Sequence, residues 1–258
     1  MSRLLELRGV TMEFGGLRAV SGLDLVVGPE EMVGLIGPNG AGKTTVFNLI
    51  TGLYHPTEGA IALNGRTMTR LAPNRITAAG IARTFQNIRL FGSLSVYDNV
   101  RTAMNLNLRH GFGHALMRGR GFRAEEARIR EDVFALLDIF GLSGESERAA
   151  TGLSYGDQRR LEIVRALATK PQLLLLDEPA AGMNPTEKAA LIDLIHFVQD
   201  KFRIAVLLVE HDMRVVMGVC RRIVVLDYGS KIAEGTPGEI RKNPAVIEAY
   251  LGKEAPHA

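Results

Sequence analysis

Short apolar runs separated by polar and glycine-rich segments indicate a chain in which strands and helices alternate. Runs of four to six largely apolar residues occur at 32–36, 173–176, 204–209 and 223–226. Runs of this length are typical of strands buried in a parallel sheet and are far shorter than the ~20 residues of a membrane-spanning helix. The first 30 residues, with turn signals at Phe14-Gly15-Gly16 and Val27-Gly28-Pro29, are expected to form short strands.

Helical signals lie between these runs. Residues 46–50 predict a helix that ends near Gly52, a glycine suited to the position after a helix. Asn184, Pro185 and Glu187 have the order of a capping box, with asparagine as the N-cap, proline at the first helical position and glutamate at the third. The expected buried face of that helix consists of Leu191, Ile195 and Val198.

A helical insert is predicted between about residues 95 and 150. Apolar residues recur there at helical spacing, and a stretch rich in glycine and arginine from His110 to Arg123 interrupts the pattern. The apolar positions are Val133, Leu136, Leu137 and Phe140. No internal repeat is present, so we expect one core rather than two copies of one.

The first buried run leads directly into a glycine loop. Residues 37–45, GPNGAGKTT, match the pattern G-x-x-x-x-G-K-[ST] without a mismatch. Glycines permit a backbone whose N–H groups surround phosphate oxygens, and the following helix adds the positive end of its dipole. The N–H groups expected to do so are those of Gly40, Ala41, Gly42 and Lys43. The Lys43 ammonium would neutralise the β- and γ-phosphates, and the Thr44 hydroxyl could bind Mg²⁺.

Two further segments could complete such a site. Asp177 and Glu178 follow the run at 173–176, where Asp177 could hold the Mg²⁺ shell and Glu178 could polarise a water molecule. An acid pair after a buried strand more often begins an ordinary loop. Because this chain also contains the glycine loop, the catalytic interpretation is favoured. Ser154 and Gly156 precede a helix and could bind a second phosphate, or Ser154 could be an ordinary N-cap. The expected buried face of that helix consists of Leu161, Val164 and Ala168.

Taken together, the motifs resemble those of ATP-binding cassette (ABC) ATPases. GPNGAGKTT resembles the Walker A motif, LLLLDEP the Walker B motif and LSYGDQ the signature motif. Gln86 in RTFQN matches the Q-loop, AAGMNP the D-loop and His211 in VEHDM the H-switch. The resemblance implies one α/β P-loop NTPase domain over residues 1–258. It would contain an antiparallel β subdomain, an inserted helical subdomain at about 95–160 and a C-terminal tail at about 240–258.

The resemblance also implies roles for individual residues. Glu178 would be the general base or water-orienting carboxylate, His211 the γ-phosphate contact, and Gln86 the link from Mg²⁺ and water to a membrane partner. Phe14 would stack on adenine, while Ser154 and Gly156 would act on the nucleotide of the other subunit. The remaining ATP contacts would be Asn39, Gly40, Ala41, Gly42, Lys43, Thr44 and Thr45, and the Mg²⁺ ligands Thr44, Gln86 and Asp177. Tyr155, Asp157 and Asn184 depart from the common family pattern.

Longer segments narrow the resemblance. FGGLRAV, RTFQNIRLF, LLLLDEPAAGMNP and the tail NPAVIEAYLG are similar to the larger ATPase subunit of bacterial branched-chain amino-acid importers. Cassettes of urea or amide importers and of lipopolysaccharide export share much of this pattern and stay open as alternatives. The resemblance implies ATP and Mg²⁺, a second ABC ATPase in a homo- or heterodimer, membrane permeases and, indirectly, a periplasmic solute-binding protein.

Composition excludes several other classes. The 258 residues include 31 Lys and Arg against 28 Asp and Glu, and a net charge of +3 gives little reason to expect nucleic acid as a partner. The one cysteine, Cys220, excludes an intramolecular disulfide and is expected to be a small buried side chain. ABC ATPases of chromosome maintenance carry long coiled coils, and no sustained heptads occur here. Since no apolar run is long enough to span a membrane, we expect a cytoplasmic protein, and the resemblance implies that it is peripheral on the inner face of the cell membrane.

One basic segment has two interpretations. Between Asn99 and Ala124 there are five arginines and no Asp or Glu. The segment could face the anionic inner leaflet or the permease, or it could be a solvated insert with scattered arginines. The arginines are Arg101, Arg109, Arg118, Arg120 and Arg123.

Overall fold

The computed structural model of the chain describes residues 3–104 and 120–251. The chain divides into two units, one formed by residues 1–86 with 172–258 and the other by residues 87–171. The strands of the described residues are β1 (Leu5–Phe14), β2 (Leu17–Val27), β3 (Met32–Ile36), β4 (Glu58–Leu63), β5 (Arg66–Thr67), β6 (Ile81–Arg83), β7 (Leu173–Asp177), β8 (Ala205–Val209), β9 (Arg222–Asp227) and β10 (Ser230–Gly235).

The α-helices of the described residues complete the element list. They are α1 (Lys43–Ile50), α2 (Pro73–Ala78), α3 (Val96–Met104), α4 (Arg120–Ile139), α5 (Tyr155–Leu167), α6 (Pro185–Phe202), α7 (Met213–Val219), α8 (Pro237–Ile240) and α9 (Pro244–Leu251). Within these residues no helix is long and apolar enough to cross a membrane.

A six-stranded sheet forms the centre of the first unit, in the order β10-β9-β3-β8-β7-β6. The five strands from β9 to β6 are parallel, and β10 pairs with β9 in the antiparallel direction. Every residue of β3, β7 and β8 is buried, as expected for strands covered on both faces. The predicted strands at 32–36, 173–176, 204–209 and 223–226 are thus confirmed to within a residue or two.

The N-terminal region forms an antiparallel sheet in the order β2-β1-β4-β5. Its first two strands have 10 and 11 residues, so the prediction of short strands was wrong in length. The register of this pair shifts between Leu7 and Val10 and again further on. Gly9 and Gly22 adopt positive φ beside these shifts. Such irregularities interrupt the alternation of apolar and polar residues, although the two strands stay paired. The sequence pattern therefore predicted several short strands where the structure has one long strand.

The predicted helix ends of the first unit are confirmed. Thr51 is the C-cap of α1 and Gly52 follows it with φ 71°. At the start of α6 the Asn184 side chain accepts a hydrogen bond from the Glu187 N–H, and the Glu187 side chain accepts one from the Asn184 N–H. Leu191, Ile195 and Val198 are buried behind it. Cys220 is buried as predicted, and this burial raises the pKa of its thiol to about 12.

The second unit is helical. Val133, Leu137 and Phe140 of the α4 region are buried and Leu136 is half-buried, which confirms the helical spacing. Of the expected interruption at His110–Arg123, residues 110–119 lie outside the described residues, and residues 120–123 belong to α4. Arg109 and Arg118 also lie outside the described residues. The Nη2 of Arg101 donates to both carboxylate oxygens of Glu126, so the charge of Arg101 is partly offset within the unit.

Candidate active site

The candidate residues of the first unit gather where four parallel strands end. β3 leads into the glycine loop, β6 into Gln86, β7 into Glu178 and β8 into His211. Because these strands are parallel, their carboxyl ends lie at one edge of the sheet, which is where open α/β sheets bind ligands. We call Asp177, Glu178, Glu210 and His211 the acidic edge.

Two glycines make the loop possible. At Gly37, φ is 152° and a Cβ atom would lie 2.1 Å from the carbonyl oxygen of Leu226. Gly42, the N-cap of α1, has φ 99°, and a Cβ there would lie 2.5 Å from the carbonyl oxygen of Ala19. Both positions therefore combine a left-handed backbone with the close approach of another segment, and only glycine satisfies both conditions.

Lys43 fills the interior of the loop. Its Nζ donates to the carbonyl oxygens of Gly37 at 2.6 Å and Pro38 at 2.8 Å, and the residue is buried. Burial lowers the pKa of Lys43, while the nearby charge of Glu178 acts in the opposite direction. A buried ammonium held by carbonyl oxygens is well placed to turn to phosphate oxygens, which are stronger partners.

The other loop residues differ in exposure. The Ala41 N–H, expected to face phosphate, donates to the carbonyl oxygen of Pro38 at 3.2 Å in this structure. Asn39, Gly40 and Thr44 are exposed and Thr45 is half-buried, so all four can be reached by a nucleotide.

Asp177 has a partner that the sequence analysis did not identify. The Nη2 of Arg83 lies 2.7 Å from its Oδ2, and both side chains are less than a tenth exposed. Arg83 also donates to the side-chain oxygen of Asn48 at 2.8 Å, and its guanidinium lies over the rings of Phe47 and Phe85. The signal available in the sequence was an arginine at the end of a short apolar strand, directly before the Q-loop.

Glu178, Gln86 and His211, which the motifs single out, lie close together. The Nε2 of Gln86 donates to the Oε2 of Glu178 at 2.8 Å, and the Nδ1 of His211 lies 3.6 Å from the same oxygen. The His211 side chain is 61% exposed, so its ring can reach a ligand. Glu178 has φ 45°, a left-handed conformation that costs a non-glycine residue about 1–3 kcal/mol and is typical of functional turns.

Glu210 is a second residue that the sequence analysis did not single out. It is fully buried at the end of β8. Its Oε1 accepts from the Ala180 N–H at 2.7 Å, and its Oε2 accepts from the N–H groups of His211 at 3.0 Å and Asp212 at 3.2 Å. Its sequence signal matched that of Asp177, since each is an acidic residue that ends or directly follows a buried apolar run.

The C-terminal helix also reaches the glycine loop. The Tyr250 hydroxyl lies near the backbone N–H of Gly37. Burial raises the pKa of Tyr250, and the nearby Gly37 N–H partly opposes the rise. The tail of the chain thus contacts the backbone of the loop, which its sequence alone did not indicate.

Phe14 lies at the end of β1, in the turn to β2. The residue is 40% exposed, and its ring makes an edge-on contact with that of Tyr54, with the ring centroids 5.2 Å apart. An exposed aromatic face of this kind can stack on a planar base.

The signature segment belongs to the second unit. Ser154 is the N-cap of α5: its hydroxyl accepts from the Asp157 N–H at 3.2 Å and donates to the Asp157 carboxylate at 2.7 Å. Space is open around Gly156, where a Cβ would meet no heavy atom within 4 Å. Tyr155 takes the place of the usual glycine and accepts a hydrogen bond from Arg159 at 3.3 Å. Leu161, Val164 and Ala168 are buried, which confirms the predicted face.

The oxygen donors near the loop suit magnesium. In residues 3–104 and 120–251 no group of three or more His, Cys, Asp or Glu side chains could hold a metal ion. Magnesium does not need such a cage, because it is usually bound by one or two carboxylates, substrate phosphates and water. The Thr44 hydroxyl, the Gln86 amide oxygen and the Asp177 carboxylate are hard oxygen donors of the kind that Mg²⁺ prefers.

Comparison with known proteins identifies the family. The profile of the family "ABC transporter" matches residues 20–181. The chain belongs to the ABC transporter ATP-binding family. This ABC ATPase also matches the family "Branched-chain amino acid ATP-binding cassette transporter" at residues 230–256, which include α8, α9 and Tyr250. The expected α/β P-loop fold, nucleotide binding and ATP hydrolysis are therefore confirmed at the level of the family.

Relatives of this ABC ATPase match over almost their whole length. It is 45% identical over 250 residues to the high-affinity branched-chain amino acid transport ATP-binding protein LivG of Escherichia coli (strain K12), covering 97% of this chain and 98% of that one. It is 46% identical to the corresponding protein BraF of Pseudomonas aeruginosa, covering 98% and 100%. Among solved structures, the ADP conformation of the ATP-binding cassette MJ1267 superposes with a TM-score of 0.84 at 28% identity, covering 98% and 100%.

Proposed function

We propose that this ABC ATPase hydrolyses ATP at the acidic edge, with Glu178 as the water-activating carboxylate. The observation that carries the proposal is the arrangement around one oxygen: Oε2 of Glu178 accepts from Gln86 at 2.8 Å and lies 3.6 Å from the His211 ring. A carboxylate held between an amide and an imidazole, close to a buried lysine, has the parts needed to orient a water molecule toward a phosphate.

Each residue then has a distinct task. The loop from Asn39 to Thr45 binds the phosphates, with the Lys43 ammonium leaving its two carbonyl partners for the β- and γ-phosphates. The Glu178 carboxylate orients the attacking water and takes its proton, while His211 contacts the γ-phosphate. Fixed charges and dipoles aimed at the reacting phosphate supply most of the rate enhancement in such sites.

The remaining assignments depend on the family resemblance. Thr44, Gln86 and Asp177 would hold Mg²⁺, which when bound neutralises phosphate charge. Phe14 would stack on the adenine. Ser154 and Gly156 would contact the nucleotide of a second ABC ATPase, since the chain has one Walker A and one signature motif.

We further propose that this subunit powers import of branched-chain amino acids. The support is the similarity to LivG and BraF over almost the full chain, together with the C-terminal match at residues 230–256. The implied partners are a second ABC ATPase, membrane permeases and, indirectly, a periplasmic solute-binding protein. The subunit would then be peripheral on the cytoplasmic face of the membrane. Import of urea or amides and lipopolysaccharide export are the alternatives.

The catalytic assignment is tested with Glu178→Gln. The amide keeps the shape of the side chain but cannot take a proton from water. We expect ATP hydrolysis to fall by about 100-fold or more, while a fluorescent ATP analogue binds with unchanged affinity. Wild-type turnover in this variant would contradict the role of Glu178.

The transport assignment is tested by isolating the full chain from its native membranes in mild detergent and identifying the accompanying proteins by mass spectrometry. We expect a second ABC ATPase, permeases and an amino-acid-binding protein. An export-type permease, or no membrane protein at all, would overturn the transport assignment and leave the ATPase assignment intact.

A further inference from the structure

Glu210 is an unusual residue to find at the end of a buried strand. It is fully buried, and among the described residues no Lys or Arg nitrogen lies within 4.0 Å of its carboxylate, while the Nδ1 of His211 is 3.9 Å away. Burying a carboxylate is costly unless hydrogen bonds replace its hydration. An apolar side chain would fill the same space without that cost, so stability alone does not account for the acid.

The hydrogen bonds of Glu210 connect two loops. One oxygen accepts a hydrogen bond from the N–H of Ala180, in the D-loop. The other oxygen accepts hydrogen bonds from the N–H groups of His211 and Asp212. Ala180 is part of a turn closed by the Ala181 N–H, which donates to the Glu178 carbonyl at 3.2 Å. The Glu210 carboxylate is therefore hydrogen-bonded both to the backbone close to Glu178 and to the backbone of His211.

We propose that Glu210 is a positioning residue for ATP hydrolysis. By fixing the Ala180 turn relative to the His211–Asp212 backbone, it sets the placement of the Glu178 carboxylate and the His211 ring. The inference rests on the roles proposed above for those two residues. Glu210 itself, being fully buried, does not touch the nucleotide.

An isosteric amide separates this role from simple packing. Both oxygens of Glu210 are acceptors, the pattern of an ionised carboxylate, whereas glutamine has one acceptor and one donor group. In Glu210→Gln the NH₂ group must face either the Ala180 N–H or the pair from His211 and Asp212. Either orientation breaks the link between the loops and leaves the volume of the core unchanged.

The expected result is a loss of turnover without a loss of binding. In the full chain, Glu210→Gln should lower kcat by about 10- to 100-fold, because small misplacements of catalytic groups cost that much. The KM for ATP and the affinity for a fluorescent ATP analogue should stay within about twofold of wild type, since the glycine loop, which binds the phosphates, is not altered. Hydrogen–deuterium exchange should rise in peptides covering 178–184 and 210–214 and stay unchanged elsewhere.

Two further variants are measured beside Glu210→Gln. Glu239→Gln is the matched control, because Glu239 also accepts a backbone N–H, that of Thr236 at 2.7 Å, but does so at the start of α8. It should hydrolyse ATP normally. Glu178→Gln, measured in the same assay, reports on the proposed catalytic site itself.

The outcomes are separable. Wild-type turnover in Glu210→Gln while Glu178→Gln is inactive would overturn the role of Glu210 alone. Lower turnover with unchanged exchange in the two loops, or with exchange raised throughout the unit, would overturn it as well. Normal turnover in Glu178→Gln would overturn the proposed site, and the exchange pattern would then still decide whether Glu210 links the loops.

If Glu210→Gln does not fold, Glu210→Asp, which keeps both acceptors but is one methylene shorter, should show the same pattern with about a 3- to 10-fold loss of kcat.

Discussion

The glycine loop and the acidic edge lie at the same end of the six-stranded sheet, but different forces hold them. The loop is one continuous segment, and Lys43 bonds carbonyl groups only five and six residues before it. The acidic edge is assembled from two separate segments, 177–178 and 210–211, and partners from other parts of the chain hold it. Arg83 reaches Asp177 across 94 positions of sequence, and Glu210 reaches Ala180 across 30.

This difference has an energetic consequence. A loop closed by neighbouring residues forms with little loss of chain entropy, and its shape depends mainly on glycine. The acidic edge depends on buried charges, which are stable only while each has its partner. Removing the charged partner of a buried carboxylate at the acidic edge should therefore disturb folding, whereas substitutions in the loop should act mainly on the ligand.

The largest effect on stability is expected from Arg83→Met. Methionine removes the cation that compensates Asp177, and an uncompensated buried carboxylate costs about 3–5 kcal/mol. The free energy of unfolding, measured by urea titration, should fall by that amount. Arg18→Met is the matched control, because Arg18 pairs with Glu13 at the surface, where both side chains are more than a third exposed. Such a pair contributes about 0–1 kcal/mol. Equal losses in the two variants would remove the contrast between the regions.

A smaller effect, and of a different kind, is expected from Lys43→Ala. Removing the ammonium takes charge-assisted hydrogen bonds from the phosphates, and the Kd for ATP should rise by about 10- to 100-fold. The free energy of unfolding should change less than in Arg83→Met, because the Gly37 and Pro38 carbonyl groups can turn to water.

Titration with a fluorescent ATP analogue measures the affinity of this variant. Lys201→Ala, at an exposed position in the last turn of α6, is the control and should bind normally. An unchanged Kd in Lys43→Ala would show that the loop binds phosphate without its lysine.

Much of the fold followed from local patterns. The all-buried strands, the capping box at Asn184 and the helix end at Gly52 each depend on residues next to one another in sequence. The N-terminal strands were misjudged in length because a bulge changes the side-chain pattern while the partner strand maintains the pairing. Ser154 proved to be a helix N-cap, one of the two interpretations that its sequence allowed, and its contact with the nucleotide of a second subunit stays a prediction.

By itself, the sequence determined the glycine loop, the strands that lead to the site and the candidate pair Asp177 and Glu178, while the resemblance of its motifs to a known family added Gln86 and His211. Only the tertiary structure paired Arg83 with Asp177, placed Tyr250 near the backbone of Gly37 and showed which N–H groups donate to Glu210. The reason is physical. A loop or a cap is stabilised by residues that are close to it in the sequence, so the sequence itself indicates it. A buried charge is stabilised by whichever segment the strand order and register bring to it, and that depends on the whole sheet.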